Sequence, residues 1–222
     1  MKFKEYINEN NISNLDTVIA DIKKDCNPFL KKLNKDYTKN DYFVTGRQSY
    51  DDILLKSIRT DRNPRDTIKW IHDIMDDAFY SKFGINYRSN SIFCYPYSYN
   101  IIKSTQQYQY GNGFMLFPVG KFEIVYNKEF TDLYLKINDY IQMELNLGFK
   151  MKISPEKYPK EVEMVKTEIK KLVDGYKKWN GENIAGSNPE CMVNAKKAWL
   201  INLSKYLIPM KKLDYFLENL LK

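Results

Sequence analysis

The sequence predicts an α+β fold from three observations: apolar stripes at helical spacing near both ends, short β-rich runs through the middle, and no repeat or clear linker between them. A chain of 222 residues buries enough surface to be stable without disulfides or metal. The expected organisation is one domain over 1–222: a helical addition over 1–40, a core over 41–202 and a closing helix over 203–222.

Ser13 suits an N-cap, and Leu15, Val18, Ile19, Ile22, Cys26, Phe29, Leu30 and Leu33 follow at helical spacing, predicting a long amphipathic helix bent at Pro28. Tyr42 to Arg47 reads as a strand that ends in a glycine and an arginine. Such an end delivers a guanidinium to a site rim or simply places it at a turn. The segment from Ser57 to Thr67 holds Arg59, Arg62 and Arg65 before a helix, with Pro64 near its start and Asp66 or Thr67 as cap. A helix N-terminus with arginines around it suits a phosphate, although Asp61 and Arg62 could equally pair with neighbours and hold the loop. Ile68, Ile71, Ile74, Met75, Ala78, Phe79 and Phe83 continue that helix to a stop at Gly84.

Next, Arg88 to Tyr95 reads as a β-type run with Ser89 and Ser91 on one face and Asn90 and Ile92 on the other. A helix-like segment from Ser98 to Tyr108 follows, and Tyr95, Tyr97, Tyr99, Tyr108 and Tyr110 make this connection aromatic, able to stack on a nicotinamide or a base or to pack. Phe114 to Pro118 and Phe122 to Tyr126 read as a hairpin joined by Val119, Gly120 and Lys121. Two helical patterns follow, Phe130 to Leu145 and Val162 to Tyr176. Cys191 to Asn194 and Ala198 to Ile201 read as a last β pair, with Glu190 at its head after a Ser/Asn-rich loop. Met210, Leu213, Phe216, Leu217 and Leu220 form the closing amphipathic stripe.

Composition narrows the chemistry. Thirty-five Lys and Arg against 28 Asp and Glu give +7, which favours anionic partners, but the basic residues are scattered and match no RNA- or DNA-binding motif. The three cysteines are far apart and show no zinc spacing, so buried thiols and a cytoplasmic setting are expected. No apolar run is long enough to span a membrane. His72 is the single histidine, so a Ser/His/Asp relay or a His-based metal site would depend on it alone. Asp76 and Asp77, beside the apolar stripe, read as a solvated face. Abundant Lys, Asn, Ile and Tyr suggest an AT-rich genome.

The order of an arginine strand, a Ser-x-Ser strand and a late glutamate strand resembles the ADP-ribosyltransferase fold of the arginine-serine-glutamate class. The run from Ser57 to Glu123, with Arg62 to Thr67, Phe83-Gly84, Arg88-Ser89 and Phe117 to Phe122, also resembles uncharacterised phage proteins related to that fold. The resemblance covers residues 42 to 202 and implies a split β-sheet core carrying amphipathic helices at both ends.

By position it implies that Arg47 binds a phosphate or ribose of NAD, with Arg62 and Tyr95 near the same ligand. Ser89 would orient the nicotinamide ribose and Ser91 support the strand. Glu190 would hold the ribose 2′-hydroxyl and stabilise positive charge as the bond to nicotinamide breaks, since a fixed anion opposite an oxocarbenium-like centre lowers the barrier. NAD is then a substrate, no metal is needed, and the acceptor is a protein or nucleic acid. Asn188 stands where arginine-modifying members carry a second glutamate, which argues against arginine as the acceptor. The alternatives are NAD glycohydrolase activity and a catalytically silent nucleotide- or protein-binding member, such as a counter-defence or virion component.

Overall fold

The computed structural model describes residues 12–33, 42–49, 51–60, 64, 67–97, 112–146, 155–184, 188–203 and 210–221. The fold is α+β. Helices α1 (Ile12–Asp25), α2 (Asn27–Leu30), α3 (Lys69–Phe83), α4 (Leu133–Asp139), α5 (Pro159–Asp174) and α6 (Met210–Leu221) surround strands β1 (Phe43–Arg47), β2 (Ile53–Ser57), β3 (Ile92–Pro96), β4 (Asn112–Pro118), β5 (Phe122–Tyr126), β6 (Lys177–Lys178), β7 (Cys191–Ala195) and β8 (Lys197–Asn202). The strands form one antiparallel sheet in the order β2-β8-β4-β1-β3-β7-β5-β6. Among the described residues no helix is long and apolar enough to cross a membrane.

The expected first helix is broken rather than bent. It ends at Asp25, and a short second helix opens with Pro28 in its first turn, where a missing N–H costs nothing. Helix α3 begins at Lys69 with Ile68 as a cap that offers no side-chain bond, so Thr67 lies one residue too early to cap it. It stops at Gly84, whose φ of 73° is the left-handed conformation that glycine adopts without strain. Strand β2 and the two-residue β6 arise where no strand is expected from the sequence. The segment 98–111, expected to begin as a helix, lies outside the described residues, as do Arg62 and Arg65.

The hairpin expected at Val119 to Lys121 does not form, nor do β7 and β8 pair with each other. Instead the stretches 112–126 and 191–202 run antiparallel along their whole length as one two-stranded ribbon. Its ladder holds Pro118 opposite Ala198 on one side of a break and Phe122 opposite Ala195 on the other. The three residues 119–121 there face the two residues 196–197, with Val119 N–H donating to the Lys197 carbonyl at 2.9 Å. One extra residue on one strand is a β-bulge, and Gly120 supplies the left-handed φ of 64°. The β8–β4 part of the ribbon lies on one side of β1 and β3 in the sheet, and the β7–β5 part on the other.

Strand β1 ties the halves together. It pairs with β4 through five residues but with β3 only at Phe43–Pro96 and Val44–Tyr95. Beyond Val44 the β1/β3 ladder stops, and the Gly46–Arg47 end continues its ladder with β4.

Two apolar clusters result. The first gathers α1, α2 and α6 against β1, β4 and β8, with Phe29 within 5.5–6.2 Å of Phe43, Phe117, Phe122 and Trp179. The second packs Ile71, Met75 and Phe79 of α3 with Leu133 and Ile137 of α4 and Val165 and Ile169 of α5. Strands β5 and β7 are the shared wall: Ile124, Cys191 and Val193 belong to the first cluster, while Val125 and Met192 belong to the second. Lys82 fastens α3 to the end of α5 by donating to the carbonyls of Val173, Asp174 and Tyr176 at 3.2, 2.5 and 2.8 Å.

Candidate functional site

The strand that carries Arg47, the one that follows Ser89 and Ser91, and the one that Glu190 heads are consecutive neighbours in the sheet: β1, β3 and β7. The register sets their places. Tyr95 stands opposite Val44 of β1, and Cys94 opposite Cys191 of β7. Continuing each ladder puts Glu190 beside Tyr95, at the C-terminal end of β3. Arg47, three residues past Val44 on an antiparallel strand, lies toward the N-terminal end of β3, where Ser91 precedes it. Arg47 is half-buried.

Residues Arg88 to Ser91 are not strand, which corrects the expected β-type run. Ladder pairing begins only at Ile92, and Tyr87 to Ser89 form a turn. Local hydrogen bonds win over the ladder here. The Asn90 N–H donates to the Asn86 carbonyl at 2.8 Å, and the Ser91 hydroxyl donates to the Tyr87 carbonyl. Ser91 is buried and serves its own turn.

Asp76 of α3 clamps this turn from outside. One carboxylate oxygen accepts the N–H of Arg88 at 2.7 Å and of Ser89 at 3.2 Å, and the other accepts the Ser89 hydroxyl. His72, one helical turn earlier, brings Nε2 to 3.1 Å from Ser89 Oγ and 3.4 Å from the same Asp76 oxygen. Asp76 is 6% exposed, so its expected place on a solvated face is corrected: the turn around Arg88 covers it. The three residues are not a nucleophilic relay. In such a relay the acid holds the far nitrogen of the imidazole, whereas here Asp76 takes the serine proton itself and meets the same nitrogen that meets Ser89.

Arg88 joins the turn to Glu190. Its guanidinium lies 4.5 Å from the centre of the Phe93 ring, and Nη1 donates to Glu190 Oε2 at 3.1 Å. Both side chains are nearly covered, at 9% and 7% exposure. Burial, and then the Glu190 charge, push the hydroxyls of Tyr95 and Tyr176 well above the ordinary phenol range, so both remain neutral beside the carboxylate. Ahead of Glu190, Asn188 adopts a left-handed φ of 45°, which asparagine tolerates, and turns the chain into β7.

The residues that sequence reasoning missed are thus Arg88 as the partner of Glu190, and Asp76 with His72 as partners of Ser89. The i, i+4 spacing of His72 and Asp76 was the only local signal that they share a face. Of the other expected ligand contacts, Tyr95 lies next to Glu190 and Arg62 is outside the described residues. Arg59, on the same basic stretch, is exposed. Compared with known proteins, the chain is matched by no family model, no curated protein and no solved structure.

Proposed function

We propose that the protein binds NAD where β1, β3 and β7 lie side by side and transfers its ADP-ribose to a macromolecular acceptor. The observation that carries this reading is the adjacency of those three strands in one antiparallel sheet, with the Ser89 turn and Glu190 beside β3 and joined through Arg88. In this reading Ser89 takes a sugar hydroxyl of the dinucleotide, whereas Arg47, an odd number of residues from Val44 and toward the other end of β3 from Glu190, faces the other side of the sheet and stands outside the site. Glu190, paired with Arg88, faces the positive charge that develops at the anomeric carbon as nicotinamide leaves. A nucleophile on the acceptor then forms the new bond to that carbon. The same site yields NAD glycohydrolase activity if water is the nucleophile.

A second reading is favoured by one observation: Glu190 is buried and already paired with Arg88. A carboxylate neutralised in this way suits a protein that binds a nucleotide or a partner without turning it over. Incubation with NAD labelled in the adenylate, together with a cell extract, separates the three. Transfer predicts label on macromolecules, lost in Glu190→Gln; hydrolysis predicts free ADP-ribose without any acceptor. Calorimetric binding of NAD with no nicotinamide release identifies the silent member, and neither binding nor release refutes all nucleotide readings together.

A further inference from the structure

We propose that His72 and Asp76 are positioning residues that fix the Ser89 hydroxyl as an acceptor, so that the ligand group it takes is an O–H or N–H donor such as a sugar hydroxyl. The ligand half of this statement rests on the nucleotide reading above; the positioning half does not.

A serine hydroxyl has one proton and two lone pairs. Two backbone amides and the Ser89 hydroxyl converge on Asp76, and a carboxylate can only accept, so the serine proton lies toward Asp76. The oxygen then has no proton left for His72. The contact at 3.1 Å therefore runs from His72 Nε2–H to Ser89 Oγ, which fixes the imidazole tautomer. One lone pair of Ser89 remains. It can receive a donor but can offer nothing to a phosphate oxygen or a carbonyl. Ser89 is half-buried while His72 and Asp76 are buried, so the oriented oxygen is the outward member of the three. The backbone N–H of Arg88 bonds to the same Asp76, so one carboxylate sets both the Ser89 hydroxyl and the base of the side chain that reaches Glu190.

Because His72 is the single histidine, its ring nitrogens give one unambiguous NMR signature in the full chain. The expected result is the Nε2–H tautomer, with the Nε2 signal shifting in both Asp76→Asn and Ser89→Ala. An Nδ1–H tautomer, or a signal indifferent to both substitutions, overturns the positioning unit. Binding of NAD supplies the second arm. His72→Ala should weaken it about tenfold, the size of one hydrogen bond. His72→Gln, which can return an N–H near the same place, should recover to within about threefold, whereas equal binding by wild type and His72→Ala overturns the role.

An NAD analogue lacking the nicotinamide-ribose hydroxyls should bind wild type more weakly than NAD, and Ser89→Ala should shrink that preference about tenfold, the share of one hydrogen bond. If wild type does not distinguish them, the donor assignment fails. If wild type binds no NAD while the ring signature holds, the nucleotide reading falls and the positioning unit stands.

Discussion

Arg88 and Glu190 are 102 positions apart in sequence, yet they form a nearly covered ion pair. Removing one partner of such a pair strands the other without water, whereas replacing both with apolar groups need not destabilise at all. Arg88→Met should therefore cost about 3–5 kcal/mol, and the double variant Arg88→Met/Glu190→Leu should recover most of that loss. Urea denaturation of the two singles and the double checks this; purely additive losses would show that the pair is not coupled. Nothing local to Arg88 in the sequence announces this bond, because a surface arginine after a turn has the same neighbours. Asp76 is the same case in reverse. Its charge argues for solvent, and only the turn twelve residues later supplies the amides that make its burial tolerable. Ser89 stood out in the sequence by its place in the chain, but its partners Asp76 and His72 did not.

At the scale of elements, the strands with alternating or β-branched runs were legible and their pairing was not. A strand pattern reports which face is buried, and says nothing about which of several partners supplies the ladder. Val119, Gly120 and Lys121 look like a hairpin because a glycine with positive φ suits both a tight turn and a bulge. Two-residue β6 was invisible for another reason: it is an edge strand of two lysines, fixed by what they touch. Lys178 lies 2.7 Å from Glu123 of β5, and Tyr87 donates to the same carboxylate oxygen at 3.1 Å.

Partial burial alone would raise the Glu123 carboxyl, but these two bonds and the nearby Lys121 outweigh it and hold the group below its ordinary value of 4.5. A carboxyl with a depressed folded-state pKa stabilises the fold above its unfolded value and loses that contribution as the pH falls below it. Stability measured by urea midpoints should thus decline as the pH drops below 4.5, and Glu123→Gln should flatten that limb while changing little near neutrality. A limb of unchanged steepness in the variant would remove Glu123 from the account.

For the whole molecule, the decisive feature is that both apolar clusters share one wall. Along β7, Cys191 and Val193 point to the first cluster and Met192 to the second; along β5, Ile124 and Val125 divide in the same way. The two clusters therefore cannot come apart without exposing the reverse side of strands that the other cluster needs. The α+β class was readable from periodicity because each helix carries its stripe locally, but this division was not, since alternation in a doubly buried strand erases the polar face that would mark it.

The expected consequence is one cooperative transition. Ile169 is fully buried in the second cluster, whereas Trp179 and Trp199 belong to the first, across the wall of β5 and β7. Ile169→Ala should cost about 2–5 kcal/mol through lost burial and the cavity it leaves. If the wall couples the clusters, the loss should appear equally in the far-ultraviolet transition and in a tryptophan signal from a Trp70→Phe background, which reports Trp179 and Trp199 alone. A tryptophan transition that stays at its original midpoint while the helical signal shifts would mean that the first cluster stands by itself, and that β5 and β7 hold their ladder without the helices on their other face.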